Sequence, residues 1–353
     1  MEENNNEQLI ENPGNKIDLN PDKKSLKKKK ILIIIFVIVI VALSIIGIII
    51  GIHFSREQKN EGENQKENED NNDSLYELDT IPPEEMAKAR KSFKQFVYEK
   101  NSKKIEYNFY IPENITEKDL YPLIIFISDR SLVGQEVTAP LNKTVGGPIW
   151  ATDTVQKKHK CYVLVPQYNE EISTIEQKSE YINITIGLIQ EIQEKYKIDK
   201  NRIYGTGQSM GAMVTLFLLA NNPDLYAAGL IVDGHWDINE LHGLVNATFT
   251  YFAAEGDPNP YNCQNEVKKY FEENDVTYGN MDHINATEKV EILNKEAEKM
   301  YEKENKRNFI TYANGTVIEP GSSQKSEHMA SFKFGFRIEI VRDWLFNQSK
   351  NGI

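Results

Sequence analysis

The sequence predicts an α/β fold, a mainly parallel sheet flanked by helices, preceded by a single transmembrane helix. Two observations lead to this prediction. From about residue 81 onward, short apolar runs typical of buried strands alternate with longer segments of helical periodicity. Near the N-terminus, residues 31–52 form a run of twenty-two residues without one charged side chain.

The uncharged run at 31–52 would span about 33 Å as a helix, close to the thickness of a bilayer's hydrocarbon core. A buried core helix is seldom apolar on every face at this length, and a cleaved signal peptide has a shorter apolar region nearer the N-terminus. The basic cluster "KKSLKKKK" precedes the run, whereas only Arg56 follows it closely. The positive-inside rule therefore predicts a single-pass type II membrane protein whose C-terminal part is extracellular or lumenal.

The segments around this run divide the chain into four predicted parts. Residues 1–30 form a basic cytoplasmic tail, 31–52 the signal anchor, 53–80 a flexible acidic stalk and 81–353 the α/β domain. The stalk has almost no apolar residues, so it cannot bury enough surface to offset the entropy of ordering. The net charge of −12 argues against a nucleic-acid partner.

Sequons for N-glycosylation occur only after the predicted anchor. They lie at Asn72, Asn114, Asn142, Asn183, Asn246, Asn285, Asn314 and Asn347. Sequons function only in the secretory lumen, so their distribution agrees with the predicted orientation and predicts a glycoprotein. Asn-rich composition is the alternative explanation, although the N-terminal tail is also Asn-rich and has no sequon. The two cysteines, Cys161 and Cys263, are predicted to lie near opposite ends of the strands as unpaired thiols.

The elements of the α/β domain can be followed along the chain. Strands are predicted in "KIEYNFYIP", "YPLIIFIS", "CYVLVP", "RIYGTG", "AAGLIVDG", "TFTYFAAEGD" and "NFITYA". The first alternates in residue type, as an edge or hairpin strand does, whereas the continuous apolar runs are typical of strands covered on both faces. Helices are predicted over 182–196, over 210–223 and in "EVKKYFEEN" and "FRIEIVRDWLFNQ". In such a sheet, functional groups are expected at the carboxyl ends of the strands.

The motif Gly207-Gln208-Ser209-Met210-Gly211 follows the strand "RIYGTG" and precedes an apolar helix. A serine in this strand–turn–helix context is typical of a nucleophile on a strained turn. β-Carbons at either glycine would collide with the neighbouring backbone. At the helix N-terminus, the backbone N–H of Met210 can stabilise an oxyanion. The alternative is a glycine-rich turn that only packs the helix on the strand.

A serine nucleophile needs a general base and a carboxylate that orients the base. His328, in a loop between the last predicted strand and the last helix, is the preferred base, and His235 is the rival. Asp257, at the end of "TFTYFAAEGD", is the preferred acid, while Asp233 ends the preceding strand and is the alternative. An ordinary helix cap or turn would also explain either aspartate.

The remaining site predictions concern the oxyanion and the substrate. A second oxyanion donor is expected from the loop "DRSLVG", in the backbone N–H of Asp129 or Arg130. Gln208, Trp236 and Tyr261 are the candidates for substrate contacts, although either aromatic residue could be part of the core. No metal and no cofactor are expected, because a serine, a histidine and an aspartate suffice for acyl transfer.

The stretch from about 105 to 348 resembles α/β-hydrolases of the prolyl oligopeptidase, feruloyl esterase and polyhydroxybutyrate depolymerase group. The segments with this likeness are "PLIIFISDRS", "KCYVLVPQY", "IDKNRIYGTGQSMGAM", "AEGDPNPY", "SEHM" and "VRDWLF". The resemblance implies the α/β-hydrolase fold and places the family's nucleophile on Ser209, its acid on Asp257 and its histidine on His328. Related enzymes often read Gly-Asp-x-Asp with the second aspartate catalytic, and here that position is Asn259.

The predicted function is a membrane-anchored serine hydrolase that cleaves esters through a Ser-His-Asp triad and an acyl-enzyme intermediate, with 81–353 as the catalytic domain. The substrate is expected to be a small molecule, a polysaccharide-linked ester or a peptide. Esters are favoured because a chain of 353 residues has no room for the propeller of prolyl oligopeptidases. The alternatives are a serine peptidase of prolyl oligopeptidase type and a hydrolase-fold surface protein that only binds.

Overall fold

The structure is a computed structural model that describes residues 78–100, 102–172 and 178–352. The predicted cytoplasmic tail, the signal anchor and most of the predicted stalk, with the sequon at Asn72, lie outside the described residues. Within the described ranges, no helix is both long enough and apolar enough to cross a membrane. The anchor at 31–52 therefore stays a prediction.

A nine-stranded sheet forms the centre of the fold. Its strands are β1 (Lys94–Lys100), β2 (Lys103–Tyr110), β3 (Tyr121–Ile127), β4 (Tyr162–Gln167), β5 (Ile198–Gln208), β6 (Ala228–Val232), β7 (Phe249–Ala254), β8 (Gly279–Ile284) and β9 (Arg307–Tyr312). Their order in space is β1-β2-β4-β3-β5-β6-β7-β9-β8. The strands from β3 to β9 pair in parallel, whereas β1 and β2 form an antiparallel hairpin that joins the sheet antiparallel to β4. The prediction of a mainly parallel sheet is confirmed.

Helices cover both faces of this sheet. They are α1 (Pro83–Lys91), α2 (Ala139–Asn142), α3 (Asp153–Lys158), α4 (Lys178–Lys195), α5 (Met210–Asn221), α6 (Pro258–Glu273), α7 (Val290–Tyr301), α8 (Glu327–Phe334) and α9 (Glu339–Phe346). One apolar core contains residues of α1, α7, α8 and α9, and the other contains residues of α4, α5 and α6. Strand β3 alternates between them, with Ile124 and Phe126 in the first and Leu123, Ile125 and Ile127 in the second. Burial on both faces explains why this strand is a continuous apolar run.

The folded domain begins earlier than the predicted boundary between residues 80 and 81. Leu78 and Ile81 are both buried. Asp79 forms an ion pair with Arg337, in which Oδ2 and Nη2 lie 2.5 Å apart. The sequence pattern placed Leu78 and Asp79 in the stalk because burial and ion pairing with distant residues leave no local signal, and Asp79 and Arg337 are 258 positions apart. The domain therefore includes at least these last residues of the predicted stalk.

Both cysteines are buried and unpaired, as predicted. Cys161 directly precedes β4, at the amino end of that strand. Cys263 lies on α6, which follows the carboxyl end of β7.

Candidate active site

Ser209 stands on the turn between β5 and α5, with a backbone φ of 48° and ψ of −117°. A residue with a β-carbon seldom adopts this conformation, and such strain persists mainly at functional sites. The turn is held on both sides, because the N–H of Ser209 donates to the carbonyl of Val232 at 3.0 Å and its own carbonyl accepts from Met213 at 2.9 Å. The hydroxyl is thereby fixed at the carboxyl edge of the sheet.

Close packing explains the two glycines of the motif. A β-carbon at Gly207 would lie 2.4 Å from the carbonyl carbon of Gly211, and a β-carbon at Gly211 would lie 1.8 Å from the carbonyl oxygen of Ile127. Both collisions are with backbone atoms, which cannot move aside as the end of a flexible side chain can. The prediction that these glycines permit the turn by lacking β-carbons is confirmed.

Three loops at the carboxyl edge of the sheet bring Ser209, Asp257 and His328 together. Asp257 follows β7 at the position just before α6, where its side chain makes no capping hydrogen bond, and His328 lies in the first turn of α8, after β9. Nε2 of His328 lies 2.8 Å from Oγ of Ser209, and Nδ1 of His328 lies 2.5 Å from Oδ2 of Asp257. A hydroxyl, an imidazole and a carboxylate thus form one hydrogen-bonded chain, the arrangement that activates a serine nucleophile.

The surroundings of His328 favour its charged form. Burial opposes the imidazolium, but the hydrogen bond to Asp257 and the negative charges of Asp257, Asp233 and Asp129 outweigh this effect. The pKa of His328 is therefore raised above its ordinary value. A raised pKa makes the neutral imidazole a stronger proton acceptor.

Asp233 and His235, the alternative acid and base, lie close to this chain of hydrogen bonds but outside it. The Oδ1 atom of Asp233 accepts from the N–H of Ala254 at 2.9 Å, and its Oδ2 atom has no partner among the described residues. Burial, reinforced by the charge of Asp257, raises the pKa of Asp233 to about 7. Burial lowers the pKa of His235. The ring that contacts the Ser209 hydroxyl is that of His328.

The loop after β3 is fastened to the nucleophile turn. The side chain of Asp129 caps a short 3-10 helix, Arg130–Leu132, by accepting from the N–H of Ser131 at 2.9 Å. The other carboxylate oxygen of Asp129 accepts from Nε2 of Gln208 at 2.8 Å. Because Gln208 directly precedes Ser209, this hydrogen bond fixes the loop relative to the nucleophile.

Backbone N–H groups are available on both sides of the serine. Among the described residues, those of Asp129, Arg130 and Met210 donate to no protein group. Met210 opens α5, so its N–H lies at the positive end of the helix dipole. These donors suit an oxyanion, and the role predicted for the three residues stays a prediction.

The predicted substrate contacts differ in their access to solvent. Gln208 and Trp236 are buried, with 3% and 8% of their surface exposed. The side chain of Gln208 is held by Asp129, and the ring of Trp236 packs against Phe217 with centroids 5.2 Å apart. Tyr261 instead lines an open polar cleft of about 390 Å³. Of the three, Tyr261 lies beside a space open to solvent, and the lining of this cleft includes none of Ser209, Asp257 and His328.

Sequence reasoning missed Glu327, which directly precedes His328. Its Oε2 atom accepts from the N–H of Gly256 at 3.0 Å, and its Oε1 atom accepts from the N–H of Gly315 at 2.7 Å. The sequence signal was only its place in "SEHM", because Gly256 is 71 positions away. Within the described ranges, no three His, Cys, Asp or Glu side chains are grouped to hold a metal ion.

The sequence of residues 174–301, which includes Ser209 and Asp257, matches the model of the prolyl oligopeptidase family. The fold is similar to that of a thermostable esterase, with a TM-score of 0.58 and 22% identity over 74% of this chain. The chain therefore has the fold of an α/β-hydrolase. The family match and the fold together support a serine hydrolase of esterase or peptidase type.

Other similarities of this chain are weaker. An S-formylglutathione hydrolase from Staphylococcus aureus is 11% identical with a TM-score of 0.49, over 72% of this chain and 96% of that one. A ferulic acid esterase from the anaerobic fungus Anaeromyces mucronatus is 12% identical with a TM-score of 0.45, over 70% and 89%. The chain spans 64% of the length of the thermostable esterase. No protein with a curated description matches its sequence.

Proposed function

We propose that this hydrolase cleaves carboxylic esters through Ser209, His328 and Asp257. The observation that carries the proposal is the continuous chain of hydrogen bonds from the Ser209 hydroxyl through His328 to Asp257, at 2.8 and 2.5 Å. Nε2 of His328 is placed to take the Ser209 proton as the oxygen attacks the ester carbonyl, and then to give it to the leaving alcohol. Asp257 keeps the proton on Nδ1, so that Nε2 faces the serine.

Negative charge develops on the carbonyl oxygen during this attack, and it needs nearby donors. The N–H of Met210, at the start of α5, and an N–H of Asp129 or Arg130 are the proposed donors. The acyl group is then bonded to Ser209, and a water molecule attacks it while His328 accepts the water's proton. The carboxylic acid leaves, and the proton returns to Ser209.

An ester is the favoured substrate, because the fold is similar to that of a thermostable esterase. The open cleft beside Tyr261 has charged residues such as Glu255, Lys268 and Lys269 in its lining, and its lining includes none of Ser209, Asp257 and His328. A peptidase is the second candidate, and the match to the prolyl oligopeptidase family favours it. The ratio of kcat/KM for p-nitrophenyl acetate to that for a peptidyl p-nitroanilide separates the two, and a ratio below one would favour the peptidase.

The proposed location is the outer or lumenal side of a membrane, with residues 31–52 as the anchor. The uncharged run and the basic cluster before it support this proposal. The seven sequon asparagines among the described residues are all exposed, as glycan attachment requires: Asn114, Asn142, Asn183, Asn246, Asn285, Asn314 and Asn347. Full-length protein is expected to stay with membranes in alkaline carbonate, and its release would contradict the anchor.

A fluorophosphonate probe tests the enzymatic proposal directly, because it labels only an activated serine. We expect labelling of the wild-type protein, no labelling of Ser209→Ala, and wild-type labelling of Ser349→Ala, a serine near the C-terminus, away from the site. If the wild-type protein is not labelled, the proposed function is wrong. If Ser209→Ala is still labelled, the nucleophile is a different residue.

A further inference from the structure

We propose that Glu327 is a positioning residue that fixes the acid and the base of the site relative to each other. The inference rests on the proposed function of Asp257 and His328. Glu327 directly precedes His328, and its carboxylate contacts Gly256, which directly precedes Asp257. The contact therefore joins the residue before His328 to the residue before Asp257. The relative position of Asp257 and His328 decides how the imidazole is oriented.

The Glu327 carboxylate connects two loops at the carboxyl edge of the sheet, the loop after β7 and the connection from β9 to α8. Oε2 accepts from the N–H of Gly256, after β7, and Oε1 accepts from the N–H of Gly315, after β9. Each oxygen therefore has a separate backbone donor, 3.0 and 2.7 Å away. Hydrogen bonds to an ionised carboxylate are stronger than those between neutral groups. The start of α8, which contains His328, is thus held against the loop of Asp257.

The loop at Gly256 is shaped to receive this carboxylate. A β-carbon at Gly256 would lie between 2.0 and 2.3 Å from three carboxylate atoms of Glu327. The N–H of Asp257 donates to the carbonyl of Ala254 at 3.0 Å, which makes residues 254–257 a tight turn. A displacement of Gly256 therefore moves Asp257 with it.

Within the described part of the chain, the N–H of Ser326 donates to Oε1 of Gln324 at the start of α8. Ser326, at the cap position of the helix, forms no side-chain capping hydrogen bond. The carboxylate of Glu327 is therefore the side-chain acceptor that joins the first turn of α8, which contains His328, to the loop of Asp257. A misplacement of about 1 Å at reacting groups can reduce a rate on the order of a hundredfold.

Two variants and a matched control test the proposal in full-length protein. Gly256→Ala leaves every charge in place, but its methyl group must displace the carboxylate of Glu327. Glu327→Gln keeps the shape of the side chain and removes the charge. Glu291→Gln is the control, because Glu291 is also an acidic residue in the first turn of a helix, α7, and is exposed. Hydrolysis of p-nitrophenyl acetate is measured per active site, counted by fluorophosphonate titration.

We expect kcat to fall at least about tenfold in Gly256→Ala and Glu327→Gln with KM changed less than about twofold, and to be unchanged in Glu291→Gln. Combining Gly256→Ala with Glu327→Gln should cost no more than the worse single variant, because both remove one contact. In Gly256→Ala the acidic limb of the pH profile should move to lower pH, because a loosened Asp257 raises the pKa of His328 less.

A purely structural role predicts different results. Gly256→Ala would then melt at a lower temperature while kcat per labelled site and the pH profile stay as in the wild-type protein, and this outcome would overturn the proposal. Independent, additive losses in the double variant would also count against a shared contact. Failure of the proposed function is recognised separately, since the wild-type protein would then not react with the fluorophosphonate, and the positioning role would fall with it.

Discussion

Replacing Asp233 with asparagine tests the electrostatics of the site and the choice of the acid together. Burial and the charge of Asp257 raise the pKa of Asp233 from 3.8 to about 7. At about 1.36 kcal/mol per pKa unit, this difference corresponds to at most about 4 kcal/mol. The folded protein keeps a proton that the unfolded chain releases. Asp233 therefore stabilises the fold below pH 3.8, and this contribution is lost as the pH rises through about 7.

The substitution removes the titration while preserving the local structure. The amide oxygen of asparagine can still accept from the N–H of Ala254, and asparagine tolerates the φ of 47° at this position. We expect the free energy of unfolding of Asp233→Asn, relative to wild type, to increase by up to about 4 kcal/mol between about pH 4 and pH 8. Urea denaturation across this range measures the difference. A difference that does not change with pH would refute the raised pKa.

Activity gives a second readout with a matched variant. At about pH 8, Asp233→Asn should keep kcat within a few-fold of wild type, whereas Asp257→Asn should lose on the order of 10⁴-fold. Both variants replace a carboxylate by an amide close to the same imidazole of His328, so shape and burial change little in either. An inactive Asp233→Asn beside an active Asp257→Asn would refute the assignment of the acid.

Three further outcomes are expected. Gly211→Ala should lower the free energy of unfolding by about 3 kcal/mol or more in urea titrations, because its β-carbon would lie 1.8 Å from the carbonyl oxygen of Ile127. In the pH profile of kcat/KM, the midpoint of the acidic limb should lie above pH 6.5, because burial lowers the pKa of His328 less than the adjacent carboxylates raise it. A midpoint below pH 6.5 would contradict this prediction. Asp79→Ala should cost about 1–2 kcal/mol in calorimetry, because Arg337, only 7% exposed, loses its carboxylate partner; an unchanged melting temperature would show that the pair contributes nothing.

The central strands could be predicted from the sequence and the edge strands could not. A strand covered on both faces, such as β3, must be apolar throughout, and that pattern is visible without any knowledge of its neighbours. Strand β1 is largely exposed, and β8 lies at the other edge of the sheet with Asn280 and Asp282 exposed. Their sequences lack the apolar pattern, so both were missed. The same is true of the boundary at Leu78, whose burial depends on distant residues.

The candidate site, like the sheet, was predicted from the sequence only in part. Ser209 was predicted from a local motif. Asp257 and His328 were predicted because each follows a strand that the sequence pattern indicates. The contact between Asp129 and Gln208 joins residues 79 positions apart and depends on the direction of both side chains. Gln208 was predicted to contact substrate, whereas in the structure its amide donates to Asp129. No periodicity or spacing encodes a contact of this kind.

The two buried thiols can report how often two parts of the domain open to solvent. Cys161 and Cys263 are the only cysteines of the chain. Burial raises the pKa of Cys161 to about 12 and also raises that of Cys263. The thiolate attacks the carbon of iodoacetamide and displaces iodide, so a buried thiol reacts only after a local opening. Cys161 directly precedes β4 of the sheet, so its alkylation rate would measure how often the sheet opens. Cys263 lies on α6, which follows Asp257, so its alkylation rate would measure how often the region beside the candidate active site opens.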